Sequence, residues 1–516
     1  MSYRVEQLNK KTGVVYVYEA TSYWDKEKKQ PRNKQVCIGK IDPVTNEFIP
    51  SKRLSNTQAA ALDKTVSATT KIVGPYMVLD LFTRELGLDK ELKASFPNTY
   101  NEILSMAYYL TISQAPLSHI ASFVKAFEHP SSKELTSQRI SDILTQIGQS
   151  DKQAFFKSWI NKTLNNDYLC YDITSVSSYS KLNEYVKYGY NRDKEKLPQI
   201  NLAVLFAQKS KLPVYYKYLN GSISDVVTLH HLLKTFDYLE LPKMHLVMDK
   251  GFYSQNNIEE LLKKDKFIIT IPNRLTWVRQ IIDQIKDHIQ KPQNYCKVEY
   301  EVLYTYTKIH SLGSNNNRCY VHIYYNAKKA ANAIDNFTEE LLGYKEELET
   351  SNLIKDHEEA YNAYFRLKQT KKGIKVDFND EAIEKHIKNY AGFFVILTND
   401  IKDPQEALRI YRNKDVVEKC FDDLKNQLDM KRLRIHNSTT MDGRLFVQFI
   451  ALIYISALRE KMRQTGLIDK YTPNELLLEM QTLVDIRYSG KYGHLLTEIT
   501  KKQREILEAL KINVEV

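Results

Sequence analysis

Three acidic side chains and one helix face carry the chemistry legible in this chain. Asp172 follows the apolar stretch of residues 168–171 and precedes Ile173, Thr174 and Ser175. Asp249 closes a second apolar stretch, 245–248, and leads into Lys250, Gly251, Phe252 and Tyr253. Glu418 lies in a helical pattern with Tyr411, Lys414 and Lys425, seven residues after the tyrosine and seven before the second lysine. At about 3.6 residues per turn, these four fall within roughly 60° of one another. Val416, Val417, Cys420, Phe421, Leu424 and Leu428 mark an adjoining buried side.

A carboxylate at the end of a buried strand is costly unless it is paired or binds a cation. Two on adjacent strands, with a third from a facing helix, repel each other, and divalent cations remove that repulsion. Oxygen donors suit Mg²⁺, with Mn²⁺ able to substitute. The chemistry that needs such a cage is phosphoryl transfer, in which two ions about 3.5–4 Å apart serve the attacking and the leaving oxygen. Asp172, in the middle of the sheet, is the expected bridge between the ions, with Asp249 and Glu418 completing one shell each. Tyr411, Lys414 and Lys425 beside Glu418 are expected to steer a phosphate backbone.

The elements that must position these groups follow from periodicity. Strands are expected over 168–173, 200–207, 212–219, 245–249 and 267–271, with helices over 226–239 and 255–264. Three strands, then helix, strand, helix, strand is the order of a ribonuclease-H-like α/β domain. That domain is expected at 166–273 and 391–465, interrupted by a β-rich and helical insertion at 274–390. A β-rich arm (1–60) and a helical DNA-binding region (61–165) precede it, and a helical region (466–516) follows. The basic turn from Trp24 to Arg32 reads equally as a DNA contact or a solvated hairpin tip. Ser137, Gln138 and Arg139 at a helix start suit either base reading or plain capping.

Composition bounds the rest. The chain has 516 residues and a net charge of +11, a modest basic excess that weakly favours a polyanionic partner. Cys37, Cys170, Cys296, Cys319 and Cys420 show no close spacing, which argues against a zinc ribbon or a disulfide scaffold and fits a reducing cytoplasm. No apolar leader opens the sequence. The longest apolar run, 445–458, is too short to span a bilayer and reads as a buried helix, so no membrane partner is expected.

With these residues in place the sequence resembles insertion-sequence DDE transposases of the ribonuclease-H-like superfamily. It is most similar to the branch with a Y-x2-R-x3-E-x6-K signature and a β-rich insertion. Tyr411, Lys414, Glu418 and Lys425 match that spacing, with lysine where the signature most often has arginine. Residues 171–174 and 249–253 resemble the two aspartate motifs. Residues 221–229 resemble a G-x3-D-x2-T-L stretch, and Lys431 to His436 the segment after the signature. The resemblance implies a transposase that binds the terminal inverted repeats of its own element as a homodimer on double-stranded DNA. It would use Mg²⁺ to cut the element ends and join their 3′-hydroxyls to target DNA. Tyr411 is then a backbone contact rather than a nucleophile, and Arg434 a further DNA contact. Trp277 is either a stacking platform for a flipped base or a core residue. The implied location is the cytoplasm, on the bacterial nucleoid. A nuclease without strand transfer and a non-catalytic DNA-binding regulator are the rival readings.

Overall fold

The computed structural model describes residues 2–514 apart from 26–27, 44, 52–67, 114, 165–166, 299–300, 355–356, 371–372, 429, 436 and 489–492. Lys26 and Glu27 of the basic turn, the first residues of the expected helical region and His436 lie outside the described residues. The chain forms two compact units, Met1–Thr70 with Asp485–Thr497, and Lys71–Val484 with Glu498–Val516. The first holds an antiparallel sheet of β1 (Ser2–Leu8), β2 (Val15–Asp25), β3 (Gln30–Ile41) and β4 (Phe48–Pro50), paired in chain order. β5 (Ala68–Ile72) follows.

The larger unit opens with helices Gly74–Leu86, Leu88–Ser95, Tyr100–Ser113, Ile120–Ala126, Ser137–Gln146 and Gln149–Thr163. They pack around one long apolar helix, Ser438–Thr465. Thr83 ties the two layers together, sharing hydrogen bonds of 2.6 Å with Tyr108 on one side and Tyr454 on the other. By length and composition Ser438–Thr465 would cross a membrane, but its whole stretch 445–458 is buried inside the protein. At the helix start read as base-reading or capping, Arg139 pairs with buried Glu102 at 3.2 Å and Thr136 caps the helix.

The main sheet begins with β6 (Tyr168–Ser178), β7 (Gln199–Ala207) and β8 (Pro213–Asn220), three antiparallel strands. β9 (His245–Met248) and β10 (Lys266–Ile271) then add in parallel on the other side of β6. Helices Asp225–Tyr238 and Gln255–Lys264 make the crossovers. The resulting order, β10-β9-β6-β7-β8, is ribonuclease-H-like. β7 is buried at every position, as a central strand covered on both faces must be.

The sheet then grows beyond that core. β11 (Tyr295–Val298), β12 (Glu301–Leu312) and β13 (Asn317–Tyr325) form a meander, and β13 pairs with β16 (Phe393–Thr398), which pairs with β10. The strands read as part of an insertion therefore extend the main sheet. The rest of that segment, with helix Ala327–Glu349 and the hairpin β14 (Phe365–Thr370) and β15 (Gly373–Phe378), has a small core of its own around Phe337, Leu341, Tyr361 and Val376. β17 (Arg432–Leu433) runs parallel to the end of β6. The C-terminal region is not all helical. β18 (Val484–Tyr488) and β19 (His494–Leu496) form a three-stranded sheet with β5, and in chain order they follow helix Pro473–Glu479 and precede helix Lys501–Leu510.

Candidate active site

β6 runs five residues further than its apolar pattern suggests, so Asp172 is a mid-strand residue and not a strand end. Its exposure to the site comes from its neighbour. β6 and β9 pair only through Cys170 and Val247, and β9 stops at Met248. Two residues past that last pair, the same register sets Asp172 and Asp249 across the gap where the strands part. Gly251 lies two residues further on, where a Cβ would come within 3.0 Å of the Asp225 carboxylate.

The third carboxylate arrives from helix Asp415–Asn426, which packs on β6 and β7 through Val417, Cys420, Phe421 and Leu424. The expected single helix from Tyr411 to Lys425 is two helices. Pro404–Arg412 ends, and the chain passes through Asn413 and Lys414 with tightened bonds from Lys414 N–H to Tyr411 C=O and from Val417 N–H to Lys414 C=O. No glycine or proline marks the break. Its effect is to turn Lys414 inward, so that a lysine with only 7 % of its side chain exposed sits at the centre of the site.

Lys414 Nζ lies 2.9 Å from Asp249 Oδ2, 3.5 Å from Asp172 Oδ2 and 3.7 Å from Glu418 Oε1. No two of these oxygens are thus further apart than about 7 Å, the longer pair of distances laid end to end. Burial opposes the charge on Lys414, but the carboxylates of Asp172 and Asp249 outweigh it and hold the ammonium above the ordinary lysine range. Burial also lifts the Asp172 carboxyl, against the pull of Lys414 and of the Ile173 backbone N–H that bonds it at 2.8 Å. Among the described residues no three His, Cys, Asp or Glu side chains already close on one point as a metal set does. The carboxylates surround an ammonium instead.

Tyr411 donates its hydroxyl to Asp249 Oδ1 at 2.5 Å and shares a longer 3.4 Å contact with Thr270. Burial and the Asp249 charge push its phenol up from the ordinary value, so it is a fixed donor. Thr270 carries no sequence signal of its own. Arg412 points away, to Glu301 and the Val298 carbonyl. Asp249, Tyr411, Arg412, Lys414 and Glu418 line a cleft of about 920 Å³ whose rim mixes cations (Lys211, Lys329, Lys419, Arg459 and Arg463) with acids (Glu301, Asp415, Asp423 and Glu460).

The other predicted contacts stand apart from the carboxylates. Lys425 binds Asp193 through both carboxylate oxygens, at 2.7 and 2.8 Å. Arg434 is exposed just after β17. Trp277 is half-buried at the start of helix Thr276–Ile285, with one ring face stacked on His310 at 4.6 Å and 2°. Its indole also acts on Tyr253, four residues beyond Asp249: burial raises the Tyr253 phenol and the indole partly offsets the rise. Asp193 and Arg192, which anchor the loop between β6 and β7, carry no motif that marks them in the sequence. Arg192 pairs with Asp225 at 2.5 Å.

A family model described as "Transposase DDE domain" matches residues 166–454. A search of curated proteins finds no match. Among solved structures, the chain is similar to a piggyBac transposase, solved by cryo-electron microscopy as a synaptic complex with hairpin DNA. The two share 9 % identity and a TM-score of 0.36, over 78 % of this chain and 70 % of that one.

Proposed function

The chain belongs to the family of transposases that carry a DDE domain, and on that premise we propose that it cuts and joins the ends of its own insertion sequence. In this reading it binds the terminal inverted repeats as a homodimer, hydrolyses the phosphodiester at each element end, and directs the freed 3′-hydroxyl at target DNA on the bacterial nucleoid. The observation that supports it is the meeting of Asp172, Asp249 and Glu418 around a single ammonium.

The donor set fits divalent metal: three carboxylates, hard oxygen donors, around one ammonium. Asp172, Asp249 and Glu418 would hold Mg²⁺ or Mn²⁺, which when bound supplies Lewis-acid stabilisation of the phosphate oxygens and a more acidic water. The protein's own groups do the rest. Tyr411 fixes the rotamer of Asp249 through its hydrogen bond. Lys414 balances the carboxylates while DNA and metal are away, and then is free to turn to the phosphate as a point charge, where an arginine would grip in two places. Trp277, half-buried with one face on His310, would meet a base displaced at the cut end. Arg434 and the cations of the cleft follow the backbone.

The test is cleavage of the DNA flanking the gene. Asp172→Ala, Asp249→Ala and Glu418→Ala should each lose ~10²- to 10³-fold or more in cutting, on the scale of a removed transition-state stabiliser, while binding the same DNA in Ca²⁺ with near-native affinity. A variant that cuts at the native rate removes its residue from the set. A pre-cut 3′-hydroxyl end that is never joined to target DNA would leave a nuclease without strand transfer.

A further inference from the structure

The loop between β6 and β7 is held rigidly while its aromatic rings face solvent. Tyr179, Leu182, Tyr188 and Tyr190 are 67, 82, 73 and 83 % exposed. Large apolar side chains so exposed and so close together mark an interaction surface. Exposed lysines interleave them: Lys181, Lys187, Lys194 and Lys196.

The loop backbone is nonetheless pinned at every few residues. Tyr185 C=O accepts from Gly221 N–H, and Lys187 exchanges two backbone hydrogen bonds with Gln199 at the start of β7. Gln199 also donates its side-chain N–H to the Tyr190 carbonyl at 2.8 Å. Gly189 and Gly221 allow the close approach, since a Cβ on Gly189 would stand 1.9 Å from the Gly221 carbonyl oxygen, and one on Gly221 2.0 Å from that of Gln199. Three ion pairs complete the clamp: Arg192 with Asp225, Asp193 with Lys425, and Glu195 with Arg432. The G-x3-D stretch and the last lysine of the helix motif thus share one structural task. Ordering a loop this thoroughly costs conformational entropy, yet none of these bonds buries the tyrosines.

The loop also adjoins the candidate active site. Tyr190, Arg192, Asp225 and Gly251 line one hollow of about 240 Å³, and Gly251 is two residues from Asp249. Arg192 is close enough to Asp172 to ease its ionisation.

We propose that Tyr188 and Tyr190 form a stacking platform for unpaired DNA bases beside the phosphodiester that is cut, with the interleaved lysines taking the adjoining phosphates. Aromatic rings on a rigid support accept any base by its π-face, and lysines supply the salt-dependent backbone attraction. A paired duplex offers no such face, because its bases are already stacked. The platform would favour substrates whose ends are melted or single-stranded. This inference rests on the reading of the carboxylates as a DNA-cutting site.

The experiment uses the full chain in Ca²⁺ with two probes cut from the DNA flanking the gene: one blunt, one with a five-nucleotide single-stranded extension carrying 2-aminopurine. The native protein should bind the extended probe ~10-fold or more tightly than the blunt one and quench its fluorescence. The Tyr188→Ala/Tyr190→Ala variant should lose both the preference and the quenching while keeping the native affinity for the blunt probe. The Tyr188→Phe/Tyr190→Phe variant should keep both, which a merely structural role for the hydroxyls would not allow. Equal binding of the two probes by the native protein, or an unchanged preference in the alanine variant, overturns the platform and leaves the cutting reading intact. Failure of the native protein to bind either probe overturns both.

Discussion

Replacing Lys414 by methionine keeps the stem of the side chain and removes the charge at the centre of the site. In the native protein without metal, that ammonium lies 2.9, 3.5 and 3.7 Å from three carboxylates. At an effective dielectric of about 20, each contact is worth roughly 4–6 kcal/mol of gross attraction. Most of that is offset by the desolvation of a buried lysine. The contacts also differ in weight. Glu418 is 63 % and Asp249 40 % exposed on their side chains, and water screens both. Asp172 is 19 % exposed and gains the most from the pair. The net loss in Lys414→Met is then ~2–3 kcal/mol, at or just below the usual range for breaking a buried pair. The same energy is what a divalent ion must overcome to displace the ammonium, so the variant should need ~30- to 150-fold less Mg²⁺ for half-maximal thermal stabilisation. The assay is a melting series over Mg²⁺ concentration with no DNA present. The variant should melt below the native protein without metal and approach it with excess metal. Equal melting without metal, together with an equal Mg²⁺ midpoint, would refute the counter-ion role of Lys414.

Two further outcomes follow from local geometry. Gly221→Ala places a Cβ 2.0 Å from the Gln199 carbonyl oxygen and 2.6 Å from that of Lys187, both backbone atoms. It should cost ~1–3 kcal/mol and expose the lysines of the β6–β7 loop to trypsin, and an unchanged digestion pattern would contradict the clamp. Glu102 is buried, which raises its carboxyl, but bonds from Lys133, its own backbone N–H and Arg139 outweigh burial and hold it below its ordinary value of 4.5. A depressed carboxyl stabilises the fold above that value and ceases to do so as the pH falls through the lower, folded one. Glu102→Gln should therefore lower the urea midpoint at pH 7 and flatten its fall below pH 4.5; parallel pH profiles for the two proteins would show that the pair contributes nothing.

The ribonuclease-H-like half of the fold was readable because its strands are short apolar runs and its crossovers are amphipathic helices. Helix Gln255–Lys264 begins and ends where its period and its Ser254 cap indicate. Asp172 and Asp249 were visible as acids attached to apolar runs. What hid the remainder was long-range pairing and side-chain direction. β13 joins β16 across some seventy residues of intervening chain, and no local pattern announces that bond. The two strands near 484–496 are too short to alternate convincingly. The break before Lys414 is marked only by Asn413 after Arg409 and Arg412, a helix-stop pattern weaker than glycine or proline, and the helical spacing of Tyr411, Lys414, Glu418 and Lys425 runs straight across it. Lys425 looked like a free cation because Asp193, its partner, lies 232 positions away in the sequence.

The central claim is that Asp172, Asp249 and Glu418 share divalent cations. Crystals soaked in Mn²⁺ and measured at the manganese absorption edge test it without any need for substrate. An anomalous peak should lie ~2.0–2.4 Å from oxygens of Asp172 and Asp249, with the Lys414 ammonium moved out of its present position. A peak elsewhere, or none while Lys414 stays between the carboxylates at millimolar Mn²⁺, would contradict it.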